Sequence, residues 1–148
     1  MGNFTQQRKN DELGEIRLLV KEFVEGDNEK KADILLNQLE SKFVRKLKDD
    51  KTSKHQIRKH YHRLLEIKEQ IEASGAKDIK PFLPEIAMTS AYATYDRNRQ
   101  GTKIGQLFEA FLKSLVKEVV ERKDTQTFLD LMKLFEAVVG LSSKYLRN

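Results

Sequence analysis

Three histidines, His55, His60 and His62, fall within eight residues, the densest set of groups in the chain that could ligate a metal or move a proton. A metal site would draw on His55, His62 and Glu66, which share a helical face at i, i+7 and i+11. Zinc sites use tighter spacings in a fixed geometry, and no HExxH pair is present. An acid–base pair would set His55 against His62, with Lys59 stabilising developing charge. Such pairs work in pockets that tune their pKa values, and a bare helix face offers none. The sequence has no cysteine, no Gly-rich phosphate loop and no nucleophile elbow. No carboxylate pair stands out from the scattered acids, and Asp96, beside Arg97, reads as a helix-end residue. The expectation is a chain that is not an enzyme and that needs no metal or cofactor.

The basic residues point elsewhere. Residues 1–40 carry 6 basic and 9 acidic side chains, residues 41–70 carry 10 and 4, and residues 71–148 carry 12 and 10. The middle thirty residues thus account for the whole net charge of +5. Concentrated positive charge is the footprint expected for a polyanion partner, although a solvated helix face has the same composition. On a helix, His55, Arg58, Lys59 and His62 gather on one outer flank, with Lys51 and Lys54 at its start, where free N–H groups add positive potential. That arrangement can track a phosphate backbone. A second basic group, Arg97, Arg99 and Lys103, surrounds the loop at residues 98–101. Tyr92 and Tyr95, at i and i+3, could stack a base, but the preferred reading places them in the core or at its edge.

These groups must ride on helices. Apolar residues recur at helical spacing, and no stretch alternates with the period of a strand. Six helices are predicted. The first runs from about Asp11 to Glu25, Gly26-Asp27-Asn28 ends it and caps the next, and the second runs to about Lys48, with Ile34, Leu35, Leu39, Phe43, Val44 and Leu47 inward. Residues 49–52 are a break. Thr52 or Ser53 caps the third, whose inner stripe is Ile57, Tyr61, Leu64, Leu65 and Ile71, and Ser74-Gly75 ends it. Pro84 opens the fourth, which ends near Asp96. The fifth carries Ile104, Leu107, Phe108, Phe111, Leu112, Leu115, Val116, Val119 and Val120, and is the most apolar. Asp124 or Thr125 opens the sixth, with Phe128, Leu131, Met132, Phe135, Val138, Val139 and Tyr145. The fold class expected is all-α, a single-domain bundle over residues 1–148, with residues 1–10 as a candidate disordered N-terminus.

Composition sets the remaining bounds. Absence of cysteine fits a reducing compartment. No apolar run approaches a membrane span, and no signal peptide is visible, so a cytoplasmic location and no membrane partner are expected. Long apolar stripes in the second, fifth and sixth helices raise the expectation of self-association.

Three stretches together resemble one family. Thr52-Ser53-Lys54-His55-Gln56-Ile57-Arg58-Lys59 is similar to its segment of Thr or Ser followed by Gln-Ile-Arg and a basic residue. Ala91-Tyr92-Ala93-Thr94-Tyr95-Asp96-Arg97 is similar to its Ala-Tyr-x-x-x-x-Arg element, which follows a Leu/Pro connection like Leu83-Pro84. The stretch from Phe128 to Val139 resembles its closing helix, although Gly140-Leu141-Ser142 stands where the family often has Ala-Tyr. The family is the small subunit of the type III-A CRISPR (Csm) interference complex, and the resemblance covers about residues 50–145.

The resemblance implies an all-helical, non-catalytic antiviral-defence subunit. It would stack with copies of itself and other Csm subunits beside the guide RNA (crRNA) and target RNA, touching backbone rather than base edges. Carried over by position, it marks Lys54, Arg58 and Arg97 as RNA-binding; charge placement adds Lys51, Lys59 and Arg99. Two alternatives stay open: a helical protein–protein scaffold that touches no nucleic acid, and a DNA-binding helical protein. The third helix has few base-reading amides, which counts against the latter.

Overall fold

A computed structural model of the chain describes residues 2–75 and 77–147, with side chains from residue 5 onward. Among these residues all regular structure is helical. Helix α1 spans Gly2–Glu25, starting nine residues before the periodicity suggests. A broken rod follows: α2 (Asn28–Asp33), a π-helical turn (Ile34–Gln38), α3 (Leu39–Lys42) and a 3-10 turn (Val44–Leu47). Then come α4 (Lys54–Ser74), a 3-10 turn (Lys80–Phe82), α5 (Leu83–Asn98), α6 (Gln106–Arg122) and α7 (Thr125–Tyr145). No helix among the described residues is long and apolar enough to cross a membrane.

Local chemistry sets most boundaries. Asp27 caps α2 by accepting from the Lys30 N–H at 2.9 Å, and Ser53 caps α4 by accepting from the Gln56 N–H at 3.2 Å. Asp124 does the same for α7, accepting from Gln126 and Thr127. Gly75, at φ +69°, ends α4 in the left-handed turn that suits a residue without Cβ. Pro84 lies in the first turn of α5, where a missing N–H costs nothing.

The predicted second helix is one rod only as far as Lys42. Phe43, at φ −133° and ψ −62°, leaves helical geometry and turns its ring inward. Its ring stacks on Phe111 at 4.8 Å, and Phe111 meets Phe135 edge-on at 5.5 Å. Phe108 and Tyr61 close on Phe135 at 6.0 and 5.3 Å. This aromatic cluster joins α4, α6 and α7, and α6 runs through the middle, packed against α1, α5 and α7. The stripes of the second, fifth and sixth predicted helices are buried or half-buried within one chain, so they carry no argument for self-association; Leu36, within the π turn and outside those stripes, is 78% exposed.

The central helix has no cap of its own. Gly105 precedes it and has no side chain, and a cap arrives from a distant turn instead. The Asp50 carboxylate accepts the N–H groups of Leu107 at 2.9 Å and Phe108 at 3.0 Å. Thr52 donates its hydroxyl to Asp50 at 2.8 Å and accepts the Gly105 N–H at 2.8 Å. Burial pushes the Asp50 carboxyl above its ordinary pKa, against the pull of those two N–H groups. The fit leaves no room at Gly105, where a Cβ would stand 2.1 Å from the Asp50 carbonyl oxygen.

Two substitutions test this lock. Asp50→Ala strips the α6 N-terminus of its acceptor and is expected to cost about 2 kcal/mol in urea unfolding. Gly105→Ala meets backbone rather than a movable side chain and is expected to cost about 1–3 kcal/mol. A loss under about 0.5 kcal/mol for both would show that the helix start is held by something else.

Candidate nucleic-acid interface

The turn that caps α6 also fixes where α4 begins. The Ser53 N–H donates to the Lys103 carbonyl at 2.9 Å, and the Lys54 N–H to the Arg147 carbonyl at 3.3 Å. These bonds hold the first turn of α4 against the α5–α6 loop and the C-terminal segment. They also occupy N–H groups that the sequence reading left free to add positive potential. Across the seam the loop is shaped by its own contacts. Gly101 takes φ +87°, and the Thr102 hydroxyl donates to the carbonyls of Arg99, at 2.8 Å, and Asp96.

Between the two elements lies an open groove of about 570 Å³. Ser53, His55, Gln56 and Arg58 line one side, and Arg99, Gly101, Thr102 and Lys103 the other. The two basic groups recognised separately in the sequence thus face one concavity. Arg58, Arg99 and Lys103 are exposed there. Lys54 is half-buried in the same helical turn, and Lys51, at φ +62°, is exposed on the turn before it.

The other two predicted cations are engaged elsewhere. Lys59 donates to Asp96 at 2.9 Å, and Arg97 Nε donates to Glu109 at 2.9 Å. Both acids are buried, so each pair links helices: α4 to α5, and α5 to α6. A cation placed against a buried carboxylate offsets the cost of desolvating it. Lys59 and Arg97 hold helices together through these pairs, and both side chains stay half-buried.

Asp96 is therefore more than a helix-end residue. It is 2% exposed and gathers Lys59 and His60 around one oxygen, with His60 Nε2 3.1 Å away. His60 is itself fully buried and packs on the Phe108 ring at 6.1 Å. It falls in register with Ile57, Leu64, Ile67 and Ile71, a spacing visible in the sequence but obscured by treating the three histidines as one group. Burial pushes the Asp96 carboxyl up, and the Lys59 hydrogen bond and charge, with His60 and Arg63, outweigh it and hold the acid below its ordinary range. Burial lowers the His60 pKa to about 4; Asp96 opposes this, while Arg63 and Lys59 add to it.

His55, His62 and Glu66 stay exposed along α4. Among the described residues no three His, Cys, Asp or Glu side chains lie close enough to hold a metal ion. Tyr92 and Tyr95 depart from the placement in the core or at its edge preferred for them: they are 42% and 61% exposed, because α5 turns Ile86, Thr89, Ala93 and Asp96 inward instead.

The neutral buried imidazole has a measurable consequence. Below pH 6.5 the unfolded chain binds a proton at residue 60 that the folded chain refuses until about pH 4. The unfolded state then holds more protons, so stability falls as pH falls through that window, by about 3 kcal/mol at most. His60→Gln is expected to flatten this stretch of the urea-midpoint profile. An unchanged slope between pH 6.5 and 4 in that variant would remove His60 as its source.

A family model described as Csm2 Type III-A matches residues 29–146, which takes in all but the first residue of α2 and every later element through α7. Neither curated proteins nor solved structures give a match. The match spans most of the chain and contains all three stretches that carried the resemblance. The chain belongs to the Csm2 family, the small subunit of the type III-A Csm complex.

Proposed function

We propose that this chain is a non-catalytic subunit that lies along the guide RNA and target RNA of the Csm ribonucleoprotein and grips backbone without reading sequence. The observation that carries this is the groove shared by Arg58, Arg99 and Lys103, where two separate basic segments converge on one open concavity. Its cations sit on a helix start and a loop locked together by main-chain hydrogen bonds, so they are positioned before a ligand arrives. Phosphate suits such a site, because each arginine can fork onto it and every cation displaces condensed counterions. Lys51 and Lys54 extend the charge along the same edge. The partners proposed with this role are the other Csm subunits and further copies of this chain, working in the cytoplasm in antiviral defence.

Binding to single-stranded RNA is expected to show a log–log salt slope of roughly −2 to −3, from three or four phosphate contacts. Arg58→Ala and Arg99→Ala should each weaken all RNA sequences alike and make the slope shallower by nearly one unit. Lys59→Ala should leave the slope unchanged and lower stability instead. A double Arg58→Ala, Arg99→Ala variant that binds as tightly as wild type at low salt would take the groove out of RNA binding and favour the scaffold role. Equal affinity for duplex DNA would favour a DNA-binding role.

A further inference from the structure

One face of α5 carries exposed large side chains. Met88, Tyr92, Tyr95 and Arg99 recur there at i, i+4, i+7 and i+11, the spacing of a single helical stripe. Met88 is 47% exposed, and Arg99, the C-cap, is exposed as well. Single exposed hydrophobes are ordinary, but a contiguous stripe calls for an occupant.

Each tyrosine carries a guanidinium. Arg63 from α4 sits 4.4 Å from the Tyr92 ring centroid, and Arg99 sits 5.6 Å from that of Tyr95. Arg99 also lines the basic groove, so the aromatic stripe and the groove are one continuous surface joined at that residue. The charge along it is graded. Arg58, Arg99, Lys103 and His55 lie at the Tyr95 end, whereas Glu66 and Glu85 line the hollow beside Met88 and Tyr92. A polyanion is drawn to the first end and repelled from the second. Flat, weakly polar rings beside a phosphate-binding groove suit a nucleobase, since every base has a π-face and stacking tolerates any sequence.

We propose that the Tyr92–Tyr95 face stacks unpaired RNA bases, with Tyr95 as the principal platform, while the adjoining groove holds their phosphates. The inference rests on the backbone-binding role above and adds bases to it. It gives the subunit a preference for single-stranded over duplex RNA, whose bases are already stacked on one another.

The test uses the full chain and three fluorescein-labelled probes: a 12-nucleotide oligo-A RNA, the matching oligo-A/oligo-U duplex, and a 12-mer of abasic sugar-phosphate units. Wild type is expected to bind oligo-A about 10-fold more tightly than the abasic strand. Tyr95→Ala should remove most of that difference while leaving abasic affinity and salt slope unchanged, and Tyr95→Phe should restore it. Arg58→Ala should weaken both probes in proportion. Circular dichroism of the variants should match wild type, because neither ring is in the core. Equal wild-type affinity for oligo-A and the abasic strand would overturn base stacking while leaving backbone binding intact. No binding to either would overturn both. A Tyr92→Ala, Tyr95→Ala variant that binds oligo-A normally but sediments as a smaller species than wild type would assign the face to a second copy of this chain instead.

Discussion

A helix that begins inside a protein leaves N–H groups pointing at nothing, and α6 begins after a glycine that cannot answer them. The Asp50 carboxylate does so from 57 residues away. Because α6 packs against three other helices, this one acceptor fixes the start of the element around which the bundle is organised. The same turn delivers Thr52, Ser53 and Lys54 to the Gly105 N–H and to the carbonyls of Lys103 and Arg147. The core and the surface groove are thus set by one short segment, with α6 on one side of it and Arg58, Arg99 and Lys103 on the other.

Beneath the groove, burial sorts the cations. Lys59 and Arg58 are neighbours in sequence, yet a turn of 100° per residue points one at Asp96 and leaves the other outward. Arg97 and Arg99 divide in the same way, one on Glu109 and the other in the groove. Each basic segment gives one cation to an ion pair that links helices and leaves others facing solvent. Counting basic residues in a segment therefore overstates what a ligand meets.

Much of the fold was legible because it is written in local chemistry. Ser53, Gly75, Pro84 and Asp124 act within one turn of their own positions, and the apolar stripes report their burial directly. What was not legible depends on partners far along the chain. The break at Phe43 follows from a ring that fits against Phe111, and no helix-breaking residue announces it. Asp50 reads as one more acid in a polar turn until Gly105 is brought beside it. The two tyrosines of α5 read as core or core edge because an aromatic pair at i and i+3 usually is, but α5 buries the smaller Thr89 and Ala93 with Ile86 and Asp96 instead. Of the candidate RNA contacts, Arg58 is named by charge and by the resemblance, and Arg99 by charge; that they share a concavity depends on the seam between Ser53 and Lys103.

The Lys54–Arg147 hydrogen bond spans most of the chain, and it bears on the order of assembly. Loops this long close slowly, since distant segments must be ordered before their contact rewards the lost entropy. During synthesis, α4 emerges with its basic flank well before the loop at Gly101, and long before Arg147. A half-made chain carries the cations without the walls that orient them. The groove forms only when the Gly101 loop docks on the start of α4 through the Ser53–Lys103 hydrogen bond, which makes its shape a property of two distant segments folded together rather than of α4 alone.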